Sequence, residues 1–169
     1  MKKTLIFIIL LSLLMAVLCS CVITADLGDD TNSQESNGNA IASNNSSAST
    51  LGNYEVVIDS CRIAEDYQGN PIAIVKYKFT NNDDDAAAFS WTIETNVYQD
   101  GIGLNKCYFA DDSANYSSDN QSKEIKTGAS LFVEVAYELN DATTDIEVEV
   151  SELISFNNKK ITKVFSITQ

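Results

Sequence analysis

The chain has 169 residues, with 24 Asp plus Glu against 11 Lys plus Arg and no histidine, for a formal net charge of −13 at pH 7. Such an acidic surface repels nucleic acid and anionic headgroups. Lack of imidazole excludes Ser-His triads, histidine proton shuttles and the common three-ligand zinc sites. The length leaves room for one ordinary domain around a single core.

Residues 1–20 read as an export signal: Lys2 and Lys3, an apolar run from Leu5 to Leu18, then small or polar residues before a cysteine. The run is shorter than the roughly 20 residues of a membrane span, and no basic stop-transfer cluster follows, so cleavage is expected over retention. Leu18, Cys19, Ser20 and Cys21 resemble the lipobox of bacterial lipoproteins. That chemistry needs a thiol to carry the diacylglyceryl thioether, a small residue at the cleaved bond and a new amino terminus on the same cysteine. Cys21 meets all three needs; Cys19 would put bulky Leu18 at the cleaved bond. Cleavage before Cys21 removes Lys2 and Lys3 and no acid, taking −13 to −15. The expected address is the outer face of the cell membrane, held there through acyl chains on Cys21, each buried methylene contributing about 0.8 kcal/mol.

Residues 21–50 are rich in Ser, Asn, Ala and Asp and hold no aromatic residue, and their acids Asp26, Asp29, Asp30 and Glu35 have no basic neighbour in the segment. This composition predicts a disordered tether, with a root-mean-square span of about 30 Å. From residue 51 to 169 short runs rich in Val, Ile, Thr and aromatics recur between turn residues, the pattern of an antiparallel β domain. Ala73, Val75, Tyr77 and Phe79 alternate with Lys76 and Lys78 on the other face. Phe89, Trp91, Ile93, Thr95 and Val97 alternate with polar residues, and Leu131, Val133, Val135, Tyr137 and Leu139 alternate with Glu134 and Glu138. These three runs predict half-buried core strands. Weaker strands are expected at Tyr54 to Cys61, Leu104 to Phe109, Asp145 to Val150 and Ile161 to Ile167. Turns are expected at Gln68 to Asn70, Asn81 to Asp85, Asp100 and Gly101, Thr127 and Gly128, and Asn157 to Lys160. Seven to nine such strands suit two packed sheets, with a closed barrel as the alternative.

Tyr54 to Cys61, Tyr67 to Thr80 with Asn81 and Asn82, the turn Lys126, Thr127, Gly128, Ala129, and the segment Ser151, Glu152, Leu153 together resemble domain of unknown function 5067, a family of Gram-positive lipoproteins. The likeness covers residues 51–169. It implies an immunoglobulin-like antiparallel β-sandwich, related to telokin-like and secreted mycobacterial antigen domains, and it implies no activity. Cys61 and Cys107 depart from the small residues expected at such positions.

These two cysteines are the thiols left once Cys21 is acylated. An exported domain allows a Cys61–Cys107 disulfide worth about 3–4 kcal/mol, with two separate buried thiols as the alternative. Neither is expected to be catalytic, since no histidine can act as base. Glu134 with Glu138, or Glu147 with Glu149, have the spacing of a carboxylate pair on one strand face, as a glycan-cleaving enzyme would need. Alternate acids on a strand are ordinarily its solvent side, however, so no catalytic residue is expected. Gly101 and Gly103 form no phosphate-cradling loop. Asp83, Asp84 and Asp85 in one turn, and Asp111, Asp112 and Asp119 in a long loop, are candidate calcium ligands, although Asp is also a common turn residue. Tyr108, Phe109 and Tyr116 in and beside that loop are candidate contacts for a surface protein or glycan. The expected function is therefore a membrane-anchored binding module without a cofactor, with calcium binding, a glycan-cleaving enzyme and a purely structural envelope protein as alternatives. A binding module should show an exposed apolar patch beside the loop Ala110 to Ser122.

Overall fold

The computed structural model describes residues 40–41, 49–108, 115–156 and 158–167. Its strands, in chain order, are β1 (Ala40–Ile41), β2 (Ser49–Leu51), β3 (Tyr54–Glu65), β4 (Pro71–Asn81), β5 (Ile93–Gln99), β6 (Ile102–Gly103), β7 (Ser130–Glu138), β8 (Ile146–Glu152) and β9 (Lys160–Phe165). A one-turn helix, α1 (Phe89–Thr92), precedes β5, and a 3-10 turn at Asp119–Ser122 precedes β7. One sheet runs β1-β3-β4-β7, with β2 also paired to β3; the other runs β6-β5-β8-β9. Every pairing is antiparallel. Neither sheet closes on itself, so the fold is an all-β sandwich and not the barrel that the strand pattern also allowed. Among the described residues no helix is long and apolar enough to cross a membrane.

The alternation of β4 and β7 fixes the core. Val75, Tyr77, Phe79, Val133, Val135 and Tyr137 face inward and meet Val97, Ile146, Val148, Val150 and Phe165 of the other sheet. Tyr137 donates its hydroxyl to Thr95 Oγ1 at 2.7 Å, so the buried polar atoms of the two sheets satisfy each other. Ile72 and Ile74, on the outer face of β4, are buried too, with Ala136 and Cys107. The segment between β6 and β7 covers that face and also the free edge of β7. Cys107 N–H donates to Ala136 O, Gln121 Nε2 to Glu134 O and Asn120 Nδ2 to Phe132 O, and the N–H of Glu138 donates to Asn105 O. An edge satisfied in this way no longer templates association with another chain.

On the opposite flank, β3 carries a bulge at Asp59, where its register with β4 shifts between Ile58 and Ser60. The inward-facing Lys163 of β9 donates from Nζ to Ile58 O and Asp59 O, each at 2.9 Å, and so ties the edges of the two sheets together. Burial lowers the pKa of this ammonium. Gln99 does similar work at the end of β5. Its Nε2 donates to Asp141 O and Thr144 O, and its Oε1 accepts from the Asn140 N–H, which fixes the β7–β8 loop.

Three sequence expectations change. Phe89 to Val97 is not one strand: the Trp91 N–H and the Thr92 hydroxyl both donate to Ala88 O, closing a helical turn before β5 begins at Ile93. The strand expected at Leu104 to Phe109 is not formed over its described part, 104–108: the short β6 is Ile102–Gly103, after which the chain leaves the sheet to cover β7. The domain start expected at residue 51 falls inside β2, and β1 lies within the segment 21–50 assigned to the tether. Pairing on an open edge of β3 is made by main-chain hydrogen bonds, which short runs of two or three residues in a Ser- and Asn-rich segment do not announce. Residues 21–39 and 42–48 lie outside the described residues.

A candidate binding cleft at one end of the sandwich

The end of the sandwich where β3 begins and β8 finishes gathers four segments remote in sequence. The first is the two-residue turn between β2 and β3, where Gly52 has φ +55°. A side chain there would be strained, and a Cβ would also collide with the carboxylate of Glu152, which packs against the turn. Tyr54 follows, its ring 5.7 Å from that of Phe79 and its hydroxyl donating to Asp83 Oδ2 at 3.1 Å. Burial, and then the hydrogen bond to Asp83, raise the pKa of this phenol; the charges of Asp83, Glu152 and Asp85 act in the same direction.

Asn81 builds the second segment. It is fully buried at the end of β4, donates from Nδ2 to Asp85 O and Ile125 O, and accepts the Asp83 N–H at Oδ1. The Thr127 hydroxyl donates to Asp83 O and Asp84 O from the facing turn. Asp83 to Asp85 thus form a braced loop that aims Asp83 at Tyr54. The third segment is α1, whose turn leaves Phe89 in the core and puts Trp91 outside, 61% exposed. The fourth follows β8: the Leu153 N–H donates to Thr92 O, and Leu153 (48%), Ile154 (75%) and Phe156 (98%) stand exposed. Together Gly52, Tyr54, Asp83, Trp91, Glu152 and Ile154 line a cleft of ≈ 370 Å³ that carries two carboxylates and no basic side chain. Its chemistry is two aromatic side chains, an apolar rim, the two carboxylates and the Asn53 amide.

The residues singled out from the sequence fare differently. Among the described residues no group of three or more His, Cys, Asp or Glu is placed to hold a metal ion. Asp83 and its neighbours serve the braced loop, and Asp119 opens the 3-10 turn elsewhere. Asp111, Asp112 and Phe109 lie outside the described residues, as does Cys21. On β7 and β8 one acid of each pair has a basic partner: Glu134 pairs with Arg62 at 3.5 Å, and Glu149 with Lys160 at 2.7 Å.

Cys61 and Cys107 are both free and buried, so the disulfide alternative is not formed. Cys61 faces the sandwich interior opposite Val75, whereas Cys107 packs with Ile74 on the outer face. Val75 and Ile74 are consecutive on β4 and point to opposite sides, so the sheet itself separates the two sulfurs. Burial pushes the Cys61 thiol up to about 12, which suppresses the thiolate.

Of the expected partner contacts, Tyr108 is exposed, while Tyr116 is half-buried, with its hydroxyl accepting from Gln121 Nε2 at 3.0 Å. The apolar patch lies chiefly across the end of the sandwich and not at Tyr108, although α1, which bears Trp91, packs beside the 3-10 turn Asp119–Ser122. Trp91, Leu153 and Ile154 went unnoticed in the sequence because Trp91 fits a strand alternation. The readable signal was Leu153, Ile154 and Phe156, an apolar cluster placed after β8 where turn residues are expected.

Fold and cleft define a class, a β-sandwich with two open antiparallel sheets and an aromatic cleft at one end. The chain belongs to the family described as Domain of unknown function (DUF5067), whose profile matches residues 29–152. Solved structures resemble it. A conserved hypothetical protein from Bacillus anthracis is 14% identical, over 73% of this chain and 94% of that one, with a TM-score of 0.53. A protein from Enterococcus faecalis is 17% identical, over 76% and 94%, with a TM-score of 0.54. These two likenesses are of fold. A structure described as a candidate lipoprotein from Staphylococcus aureus subsp. aureus NCTC 8325 is 21% identical over 73% and 94%, with a TM-score of 0.47. No curated protein matches the chain.

Proposed function

We propose that the chain is a lipid-anchored, extracytoplasmic binding module whose contact face is the Trp91 cleft. The observation that carries this reading is that three exposed apolar side chains from two remote segments, Trp91, Leu153 and Ile154, line one concave site. Exposed aromatic and aliphatic groups rimmed by polar ones mark interaction sites, and aromatic anchors dominate the energy of such contacts. The anchor itself rests on the lipobox-like Leu18 to Cys21.

The direction of β1 fits this arrangement. Ala40 sits opposite Arg62, and β1 runs antiparallel to β3. Ala40 therefore lies about 26 Å along β3 from the cleft, at ~3.3 Å per residue. We read the module as non-catalytic, because one acid of each candidate glycosidase pair is tied to a base, Glu134 to Arg62 and Glu149 to Lys160. Two experiments test the proposal. Cys21→Ala is expected to move the protein from the membrane fraction into the medium, or to leave an uncleaved precursor; unchanged membrane retention with an acylated mass would contradict the anchor. Photo-crosslinking from residue 91 on intact cells tests the cleft.

A further inference from the structure

Building on the reading of the cleft as the contact face, we infer that it takes a cationic group, a lysine ammonium or arginine guanidinium carried on an apolar peptide segment of a partner protein. Four features of the site converge on this chemistry. Tyr54 and Trp91 both line one concavity, and an aromatic ring attracts a cation through its quadrupole. Asp83 and Glu152 supply two carboxylates at the same place, each held by its surroundings: Asp83 by the Tyr54 hydroxyl and by the braced loop, Glu152 against the Gly52 turn. No lysine or arginine lines the cleft to neutralise them. Leu153 and Ile154 beside them offer an apolar wall for the aliphatic stem that a lysine or arginine carries.

The pKa of Tyr54 is raised first by burial and then by its hydrogen bond to Asp83, and the charges of Asp83, Glu152 and Asp85 add in the same direction. At longer range, a net charge of −13 steers cations toward the chain. A neutral sugar suits the cleft less well. Its hydroxyls leave the charges of Asp83 and Glu152 uncompensated, whereas a cation neutralises them.

The chain holds a single tryptophan, so its emission reports on the cleft alone. The test titrates the purified full chain, in detergent micelles, with an amidated tetralysine peptide and follows Trp91 emission. The expected result is a saturable change that weakens roughly tenfold on Glu152→Gln, the loss of one charge-assisted hydrogen bond. It weakens further on Asp83→Asn combined with Glu152→Gln, and it falls with added salt. Glu152→Gln preserves shape against Gly52, and an unchanged unfolding midpoint shows that the variant is folded. A peptide response that persists undiminished in the folded double variant overturns the inference. So does a response to neutral N-acetylglucosamine oligomers with none to the peptide, an outcome that leaves the cleft as the contact face with an uncharged ligand. No emission change with either probe overturns the cationic ligand, and whether the cleft is the contact face is then read separately from crosslinking at residue 91.

Discussion

Phe79→Ala is expected to lower the unfolding free energy by about 3–5 kcal/mol, the usual cost of emptying a fully buried aromatic site. Phe79 lies at 0% exposure and stacks at 5.7 Å on Tyr54 and, edge-on, at 5.7 Å on Phe89. It therefore supports both the first residue of β3 and the helical turn that carries Trp91 outward. Against a total stability of about 5–15 kcal/mol for a domain of this kind, the loss takes a large share. Urea unfolding measures it, with Phe79→Leu as the comparison, expected to cost less because most of the volume is kept. A midpoint for Phe79→Ala indistinguishable from that of the parent would mean that the core beneath the cleft is not packed as described.

Asn81→Ala is expected to cost about 3 kcal/mol, since one buried amide makes three hydrogen bonds and each contributes roughly 1 kcal/mol. Its loss strands the carbonyls of Asp85 and Ile125 and releases the Asp83 N–H, which unlatches the loop that aims Asp83 at Tyr54. The effect reaches the cleft as well as the fold. Any ligand-induced change in Trp91 emission should weaken in Asn81→Ala even under conditions where the variant remains folded. Asn81→Asp separates the contributions, because it keeps the acceptor for Asp83 and removes the donors to Asp85 and Ile125. Equal stability of all three proteins would remove Asn81 from its role as organiser of the loop.

The strands with strict alternation were legible in the sequence. β7 and the inner face of β4 follow their apolar pattern residue by residue, because a sandwich buries one face of each strand. The outer face of β4 was not legible. Ile72 and Ile74 are covered by Cys107 and Tyr116, and covering by a distant loop leaves no periodic trace. Phe89 and Trp91 misled for a geometric reason: Phe89 and Ile93 share a face at helical spacing as they would at strand spacing, so one turn of helix keeps both inside while turning Trp91 out.

Asp83 to Asp85 resembled a cation site because composition shows the carboxylates and not their partners. Asn81 and Thr127, which settle the loop, act through side-chain contacts that the sequence does not order. The separation of Cys61 from Cys107 required the register of β3 on β4, which decides which face each thiol occupies. The cleft was the least legible part, being assembled from residues 52–54, 83, 91–92 and 152–154 by the crossing of two sheets.

The account turns on whether the Trp91 end of the sandwich is where the anchored protein meets its partner. The direct measurement places a photo-crosslinking amino acid at position 91, and in a second strain at Ile102, which is equally exposed but lies at the other end of β5. Both are expressed on intact cells from otherwise unchanged chains. The account predicts a discrete crosslinked product from position 91 and none from position 102, with the product diminished by Glu152→Gln. Crosslinking from position 102 with none from position 91 would contradict it and move the contact face to the opposite end of the molecule.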